Sequence, residues 1–448
     1  MPHQTPGAAG NLHPRRKWRK HLLPEALADS IRRVESHIVI LGCGFGGLFA
    51  AQALKGAPVK VTVIDRANHH LFQPLLYQVA TAGLSAPAIA APIRQILERQ
   101  ENATVLMADV QSIDTARRAV VLDGGDEVAY DFLIVATGAT HSYFGHPEWE
   151  RDAPGLKTLE DAFEIRRRIL LAYEHAERES DPQRRARWLT FAVIGAGATG
   201  VEMAGTLAEI ARHTLRGEFR NFDSREARVI LVEGSPNVLS TYPPDLSAKA
   251  RKQLERLGVT VRTDSRVTGI DAEGILIGEE RIAAKTVVWA AGVAASPLGK
   301  SLGVELDRAG RVPVGPGLSL AARPEVFVIG DLAAVTSEGK PVPGISPAAK
   351  QMGRYAAKCI LARLAGKTLA PFRYIDYGQL ATIGRNAAVA IIGKLRFSGY
   401  PAWLVWLCAH IYFLIGFRNR AVVLFDWALA YWSFERNARI VVGTKDER

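Results

Sequence analysis

The sequence predicts an α/β fold: two Rossmann-like dinucleotide-binding domains in one chain, followed by amphipathic C-terminal helices suited to lying on a membrane. Three observations predict it. Residues 38–54, IVILGCGFGGLFAAQAL, run from four apolar residues through Gly42-x-Gly44-x-x-Gly47 into a helix rich in Ala and Leu. Residues 191–207, FAVIGAGATGVEMAGTL, repeat the pattern with Gly195, Gly197 and Gly200, 153 positions after the first set. Each copy is followed about 96 residues later by a buried strand closing on a small-residue turn, FLIVATG at 132–138 and TVVWAAG at 286–292. An internal repeat of this length implies two nucleotide-binding units.

In the first unit Gly42 allows the tight turn, Gly44 lets backbone approach a pyrophosphate, and Gly47 lets helix and strand pack closely. A diphosphate then rests on free N–H groups at the positive end of the helix dipole. The next strand, 59–64, ends in Asp65, 18 residues past Gly47, where a carboxylate can accept hydrogen bonds from an adenosine ribose. The run 69–84, HHLFQPLLYQVATAGL, is apolar but broken by Pro74 and Gly83, so it reads as core or as the wall of a cofactor cavity. Residues 86–100 read as a helix and 104–110 as a strand. Alternating runs at 119–130 and 274–282 read as antiparallel strands.

A charged helix over 159–179 leads into the second unit, whose own acidic strand end is VILVEG at 229–234. Glu233 there is placed to hydrogen-bond the 2′-hydroxyl of NADH and to repel the 2′-phosphate of NADPH. A third buried strand, EVFVIGDLA at 325–333, closes on Gly330-Asp331, and a helix over 344–360 starts near Pro347. Asp331 can hold a ribityl hydroxyl, and the helix end can stabilise charge on a reduced flavin. The same pattern extends the candidate cofactor contacts to Phe45, Gly46, Arg66, Val110, Ala136, Gly138, Gly292 and Ala348. The domains expected are 37–155 with 293–372 for FAD, 156–292 for NADH, a basic tail at 1–36 and a membrane-anchoring region at 373–448.

The 448 residues are 48% hydrophobic and 23% charged, as in ordinary globular proteins, but the net charge is +11. Basic residues gather at the ends, seven against three acids in 1–36 and six against two in 394–439. Neither nucleotide unit shows the basic face of a nucleic-acid reader. The bias fits an anionic membrane surface, with solubility as the plain alternative. The tail lacks the apolar run of a secretory signal; a cleaved transit peptide is the other reading. Cys43, Cys359 and Cys408 form no CxxC, metal or cluster spacing, and His69 and His70 read as structural. From Phe397 to Phe417 there are 21 residues without Asp, Glu, Lys or Arg. Trp403, Trp406, His410, Phe413 and Phe417 recur there at three and four, along one helix face. Ser398, Gly399 and Pro401 leave a helix of about 16 residues, too short to span a bilayer and better placed in its interface. A dimer or core face is the alternative.

Two nucleotide sites imply that one cofactor meets another: FAD held in the discontinuous first unit, NADH visiting the second. With no redox cysteine pair or cluster, the acceptor must reach the flavin directly, and a membrane-bound tail suggests a quinone. The motifs LGCGFGGL, DRANHHLFQPLLYQVATAGLS, VIGAGATGVEMAG, VIGDLA, GQLATIGRNAAV and HIYFLIGFRNR then resemble those of the type II NADH:quinone oxidoreductases, over about 37–448. The resemblance implies a two-domain flavoprotein reductase fold with non-covalent FAD, preference for NADH, and reduction of ubiquinone or menaquinone without proton pumping. It also implies a homodimer and a peripheral, monotopic position on the cytoplasmic face of the cell inner membrane. It assigns Glu202, which follows the second glycine turn, to the nicotinamide and quinone region and to proton handling. Phe49 stands at the matching place in the first repeat, so the fold does not demand a charge; helix-dipole stabilisation is the alternative. The family's AQxAxQ motif appears as SPAAKQ, where Gln351 matches the final Gln and Pro347 replaces the first. Tyr377 stands where the family often has Lys. A flavin disulfide or ferredoxin reductase, and a non-catalytic NADH-sensing flavoprotein, are the other readings.

Overall fold

A computed structural model describes residues 36–433, 436 and 438–441, so the expected basic tail lies, apart from Ser36, outside the described residues. The first unit begins with β1 (His37–Leu41), α1 (Phe45–Ala53), β2 (Lys60–Asp65), α2 (Leu76–Ala80), β3 (Ala103–Met107), β4 (Phe132–Val135) and β5 (Ala139–His141). The second holds α3 (Leu159–Arg178), β6 (Thr190–Ile194), α4 (Ala198–Glu209), β7 (Arg228–Val232), α5 (Pro244–Arg256), β8 (Val259–Arg262) and β9 (Thr286–Trp289). The chain returns through β10 (Val293–Ala295) to β11 (Val326–Val328) and α6 (Ser346–Leu364). It ends in β12 (Gln379–Gly384), β13 (Ala387–Ile392), β14 (Leu395–Ser398), α7 (Tyr400–Phe413) and α8 (Phe417–Ser433).

Two parallel sheets organise these elements. The first has the order β11-β4-β1-β2-β3 and the second β8-β7-β6-β9. Both are covered on two faces, which is why their strands read as unbroken apolar runs; Ile38 to Leu41 are fully buried. The connectors β5 and β10 follow the two small-residue turns and pair antiparallel with each other, Thr140 opposite Ala294, tying the units together. Helix α3 starts where Thr158 and Asp161 form a reciprocal capping box.

Two expected elements differ. The helix over 86–100 is two short helices, Ala86–Ile89 and Ile93–Leu97, split by an extended segment that pairs with His69–Leu71. Pro92 forces Ala91 out of the helical region and breaks the run. The strand over 104–110 stops at Met107, and Val110 opens a separate strand paired with Leu122.

The C-terminal region is the larger departure. Strands β12 to β14 form an antiparallel meander that packs on α4, where a Cβ on Gly205 would lie 1.6 Å from the Ile383 carbonyl oxygen. The charge-free run is the 14-residue α7, and a second helix, α8, begins at Phe417. Trp406 and His410 do not point outward as expected. Trp406 is buried, stacks on His410 at 4.3 Å and meets Trp427 of α8 at 5.1 Å, while His410 packs edge-on to Phe72. The exposed apolar stripe runs instead through Leu404, Cys408 and Tyr412 of α7 and Leu424, Phe425 and Leu429 of α8. The Phe417 and Arg418 side chains lie outside the described residues. Among the described residues no helix is long and apolar enough to cross a membrane.

Candidate active site

The two glycine turns match atom for atom. Gly42 and Gly195 adopt φ of +86° and +97°, and their N–H groups donate to the Ile64 and Val232 carbonyls at 2.8 and 2.7 Å. A Cβ on Gly47 or Gly200 would stand 1.8 Å from the carbonyl oxygen of Gly42 or Gly195, so only glycine fits. By contrast, a Cβ on Gly44 or Gly197 would meet nothing within 4 Å. That open space over the start of α1 and α4 is the room a diphosphate needs, and both turns fit the cofactors the sequence implies.

Each turn is latched by its own acid. Asp65 accepts from the Cys43 and Ala67 N–H groups; Glu233 accepts from Ala196 at 2.7 Å and Ser235 at 2.8 Å. Both carboxylates thus sit beside their turns with lone pairs left for ribose hydroxyls. Burial raises the Asp65 pKa, and the two N–H donors oppose it. Arg66 is exposed, next to Asp65. His70 is buried, its Nδ1 2.8 Å from the Cys43 carbonyl oxygen, and burial lowers its pKa to about 4: a structural residue that props the first turn.

The first unit's remaining candidates fall in two groups, one beside the first glycine turn and one at the N-terminus of α6, with Val110 apart on its own strand. Ala136 lies beneath Gly42, whose added Cβ would meet the Ala136 carbonyl oxygen at 2.6 Å, and Gly138 follows with φ +67°. Gly330 takes φ +72°, Asp331 lies beside Gly344, and Ala348 is in the first turn of α6, where N–H groups have no carbonyl to bond. Gln351, which matches the final Gln of the family motif, lies one turn further along α6. Its Nε2 donates to the Ile375 carbonyl at 2.8 Å and its Oε1 accepts the Ile375 N–H at 2.9 Å, so both ends of the amide are used within the protein.

The neighbouring Lys350 was not singled out by the sequence, and it is the residue that faces inward. It is 5% exposed, with Nζ 4.8 Å from the Phe45 ring centre, 5.2 Å from Phe49, 6.0 Å from Phe72 and 4.6 Å from Phe413. Burial, with Arg354 nearby, lowers its pKa to about 8. The signal that could have found it is its register: Lys350, Gly353 and Ala357 fall on one small-residue face against α1.

Between the units lies a cavity lined by Gln73, Tyr77, His141, Thr199, Glu202, Trp289 and Gly292. Glu202 is buried on α4, where its Oε1 accepts a long 3.4 Å bond from the Thr382 N–H. The Trp406 indole N–H also faces this carboxyl, outside good hydrogen-bond geometry, and has no other partner among the described residues. Burial outweighs both and raises the carboxyl pKa to about 8. A largely protonated acid at neutral pH, next to Gly292 and Thr199 of the second turn, can give and take a proton where a nicotinamide ring would enter.

Comparison with known proteins decides the family. The model for pyridine nucleotide-disulphide oxidoreductases matches residues 36–353. A protein of Mycobacterium tuberculosis named type II NADH:quinone oxidoreductase Ndh is 49% identical over 414 residues, 89% of each chain. The chain belongs to the type II NADH:quinone oxidoreductases. A second such oxidoreductase of M. tuberculosis, NdhA, is 48% identical over 88% of this chain and 87% of its own. The fold matches that of the Plasmodium falciparum NDH2 in complex with NADH, with a TM-score of 0.83 over 91% of this chain and all of that one, at 19% identity. The sulfide:quinone oxidoreductase of Aquifex aeolicus shares it more loosely, with a TM-score of 0.70 at 18% identity, 92% of this chain and 98% of that one. These relatives place the chain among flavoprotein reductases.

Proposed function

We infer that this type II NADH:quinone oxidoreductase oxidises NADH through non-covalently bound FAD and passes the electrons to a membrane quinone without pumping protons. The observation that carries this reading is the pair of matching glycine turns, one latched by Asp65 and the other by Glu233, with the cavity that holds Glu202 beside Thr199 of the second. FAD supplies the two-electron redox chemistry. Gly42, Gly44, Phe45, Gly46 and Gly47 would seat its diphosphate, with Asp65 on the adenosine ribose, Asp331 on the ribityl chain and the Ala348 N–H at the ring end. Gly195, Gly197 and Gly200 would seat NADH, with Glu233 on its ribose and Gly292 against the nicotinamide. Gln351 would then act by pinning the segment around Ile375, and Lys350 by presenting a buried positive charge near the approach to the flavin. Anaerobic stopped-flow tests the reading: NADH should bleach the flavin absorbance, and a quinone should restore it. Protein that NADH does not bleach would refute it.

The protein would rest as a homodimer on the cytoplasmic face of the cell inner membrane, where the NADH pool lies. The support is the exposed stripe of α7 and α8, with Tyr412 70% and Phe425 63% exposed, next to the basic Arg420. Co-sedimentation with anionic liposomes measures it, and raised salt should weaken the binding without abolishing it, because only the charged part is screened.

A further inference from the structure

Reducing a quinone consumes a proton that NADH does not carry. NADH, one proton and the quinone give NAD⁺ and quinol: the hydride brings two electrons and one proton, and water must supply the second proton. Two cavities flank the Glu202 carboxyl. Behind the central cavity lies a second one, of about 130 Å³, lined by Tyr77, Thr206, Glu209, Thr382, Trp406 and Arg436 among others. Tyr77 lines both cavities, while Thr382 and Trp406 line the second and reach the Glu202 carboxyl in the wall between them.

Helix α4 runs from one cavity to the other. It is otherwise apolar and small, ATGVEMAGTLAE, yet Thr199, Glu202, Thr206 and Glu209 recur at three, four and three, one face of a helix. Thr199 and Glu202 line the central cavity; Thr206 and Glu209 line the second. Immediately after Glu209 the helix widens into a π turn, Ile210–Thr214, and Thr214 also lines the second cavity. The middle pair, Glu202 and Thr206, is buried, and buried polar groups are costly to fold unless they are used.

We propose that Glu209, Thr206 and Tyr77 form the route by which that second proton enters, with Glu209 as the entry carboxylate and Glu202 as the delivering acid. The proposal rests on the quinone-reductase reading above. Glu209 suits entry because its side chain is partly exposed and lines the second cavity, where the Arg385 N–H and Arg436, at 3.5 Å, hold it in place. A proton taken up there moves along hydroxyls that accept one proton as they release another, and along waters the second cavity has room to hold. Glu202 gives up its carboxyl proton toward the reacting pair and is recharged from Thr206 and Tyr77. The groups that set the pH response face these acids from every side. Tyr77 and Tyr242 lie close enough to Glu202 to feel its charge, with His141 and Lys157 across the central cavity; Tyr77 also feels Glu209, which Arg385, Arg436 and Tyr431 surround.

The test compares Thr206→Val, Glu209→Gln and Glu209→Asp in the FAD-loaded protein. Three readouts are taken: flavin bleaching by NADH, turnover with ferricyanide, and turnover with quinone in H₂O and D₂O across pH. Bleaching and ferricyanide reduction draw no proton from water. The expected result is quinone turnover reduced at least tenfold in Thr206→Val and Glu209→Gln, a larger solvent isotope effect, and partial recovery in Glu209→Asp. If Glu209→Gln does not fold, because Arg436 and Arg385 lose their partner, Thr206→Val carries the test alone. A fall of all three activities together, or quinone turnover and isotope effect unchanged, overturns the route. Failure of the wild-type protein to bleach with NADH would refute the reductase reading itself and is read separately.

Discussion

The Glu202 carboxyl makes stability a readout of its burial. Its pKa is about 8 in the folded protein against an ordinary 4.5. Between those values the folded form keeps a proton that the unfolded chain has lost. Its contribution to stability is therefore present at low pH and lost as pH rises through the window, reaching at most about 5 kcal/mol at 1.36 kcal/mol per pH unit. Glu202→Gln keeps the shape and a donor but cannot ionise, so it should escape this loss. Unfolding entropy for a chain of this size, at about 2.1 cal/mol/K per residue, is of order 1 kcal/mol/K. The variant's Tm should accordingly gain on the wild type by up to about 4 °C between pH 5 and pH 8. His70 and His410, whose pKa values burial lowers to about 4, push the wild-type curve the opposite way between pH 4 and 6.5. They do so equally in both proteins, so the difference isolates Glu202. Flavin fluorescence released on heating gives the measurement. Parallel curves for the two proteins would mean that Glu202 ionises normally, and both the proton-handling role and the route through Glu209 would go with it.

Denaturation should release FAD and not FMN, because Asp65 and the open space at Gly44 serve an adenosine diphosphate that FMN lacks; chromatography of the flavin decides it. Glu233→Gln should raise kcat/KM for NADPH roughly tenfold, about 1.4 kcal/mol, by removing a charge facing the 2′-phosphate, and an unchanged NADH/NADPH ratio would exclude Glu233 from the ribose site. Lys350→Met should raise stability near neutral pH by roughly 1 kcal/mol, the unpaired ammonium costing more than its ring contacts return, while quinone turnover falls and bleaching by NADH persists; loss of bleaching would place Lys350 in the NADH half-reaction instead. Changing Leu404, Tyr412 and Phe425 together to Ser should abolish liposome binding and leave ferricyanide turnover intact, and retained binding would move the membrane face elsewhere.

The parts of the molecule that were legible in the sequence are those where backbone geometry dictates residue type. A strand, a glycine turn and a helix must read alike wherever they fold alike, so both glycine turns and the acids beside them show in the residues alone. The helix over 86–100 was misread because apolar content hides a break unless the residue before Pro92 is followed into its extended conformation. The outward face of α7 differs from the expected one for another reason. Spacings of three and four identify a helix face, but a Trp-rich face suits a protein core as well as a lipid headgroup layer. The residues that actually face outward, Leu404, Cys408 and Tyr412, lie on an equally regular stripe that the heavier aromatics obscured. Lys350 escaped notice because a lysine in a helix is ordinarily solvated, and only its small-residue neighbours hinted otherwise.

That inward turn changes what the C-terminal region is for. Trp406 reaches Glu202, His410 packs on Phe72, and Phe413 closes the ring of aromatics around Lys350, all from the single helix α7. Thr382 of β12 supplies the N–H that Glu202 accepts. One side of this helix therefore completes the chemical site while the other presents the stripe assigned to lipid. Deleting the chain from Phe397 onward would remove more than an anchor. It would uncover Glu202 to water, lower its pKa toward the ordinary carboxylate range, and open the Lys350 cage. A truncated protein that lost quinone turnover would thus say nothing about the membrane by itself. The surface substitutions at Leu404, Tyr412 and Phe425 separate the two roles, because they leave every inward contact of α7 in place.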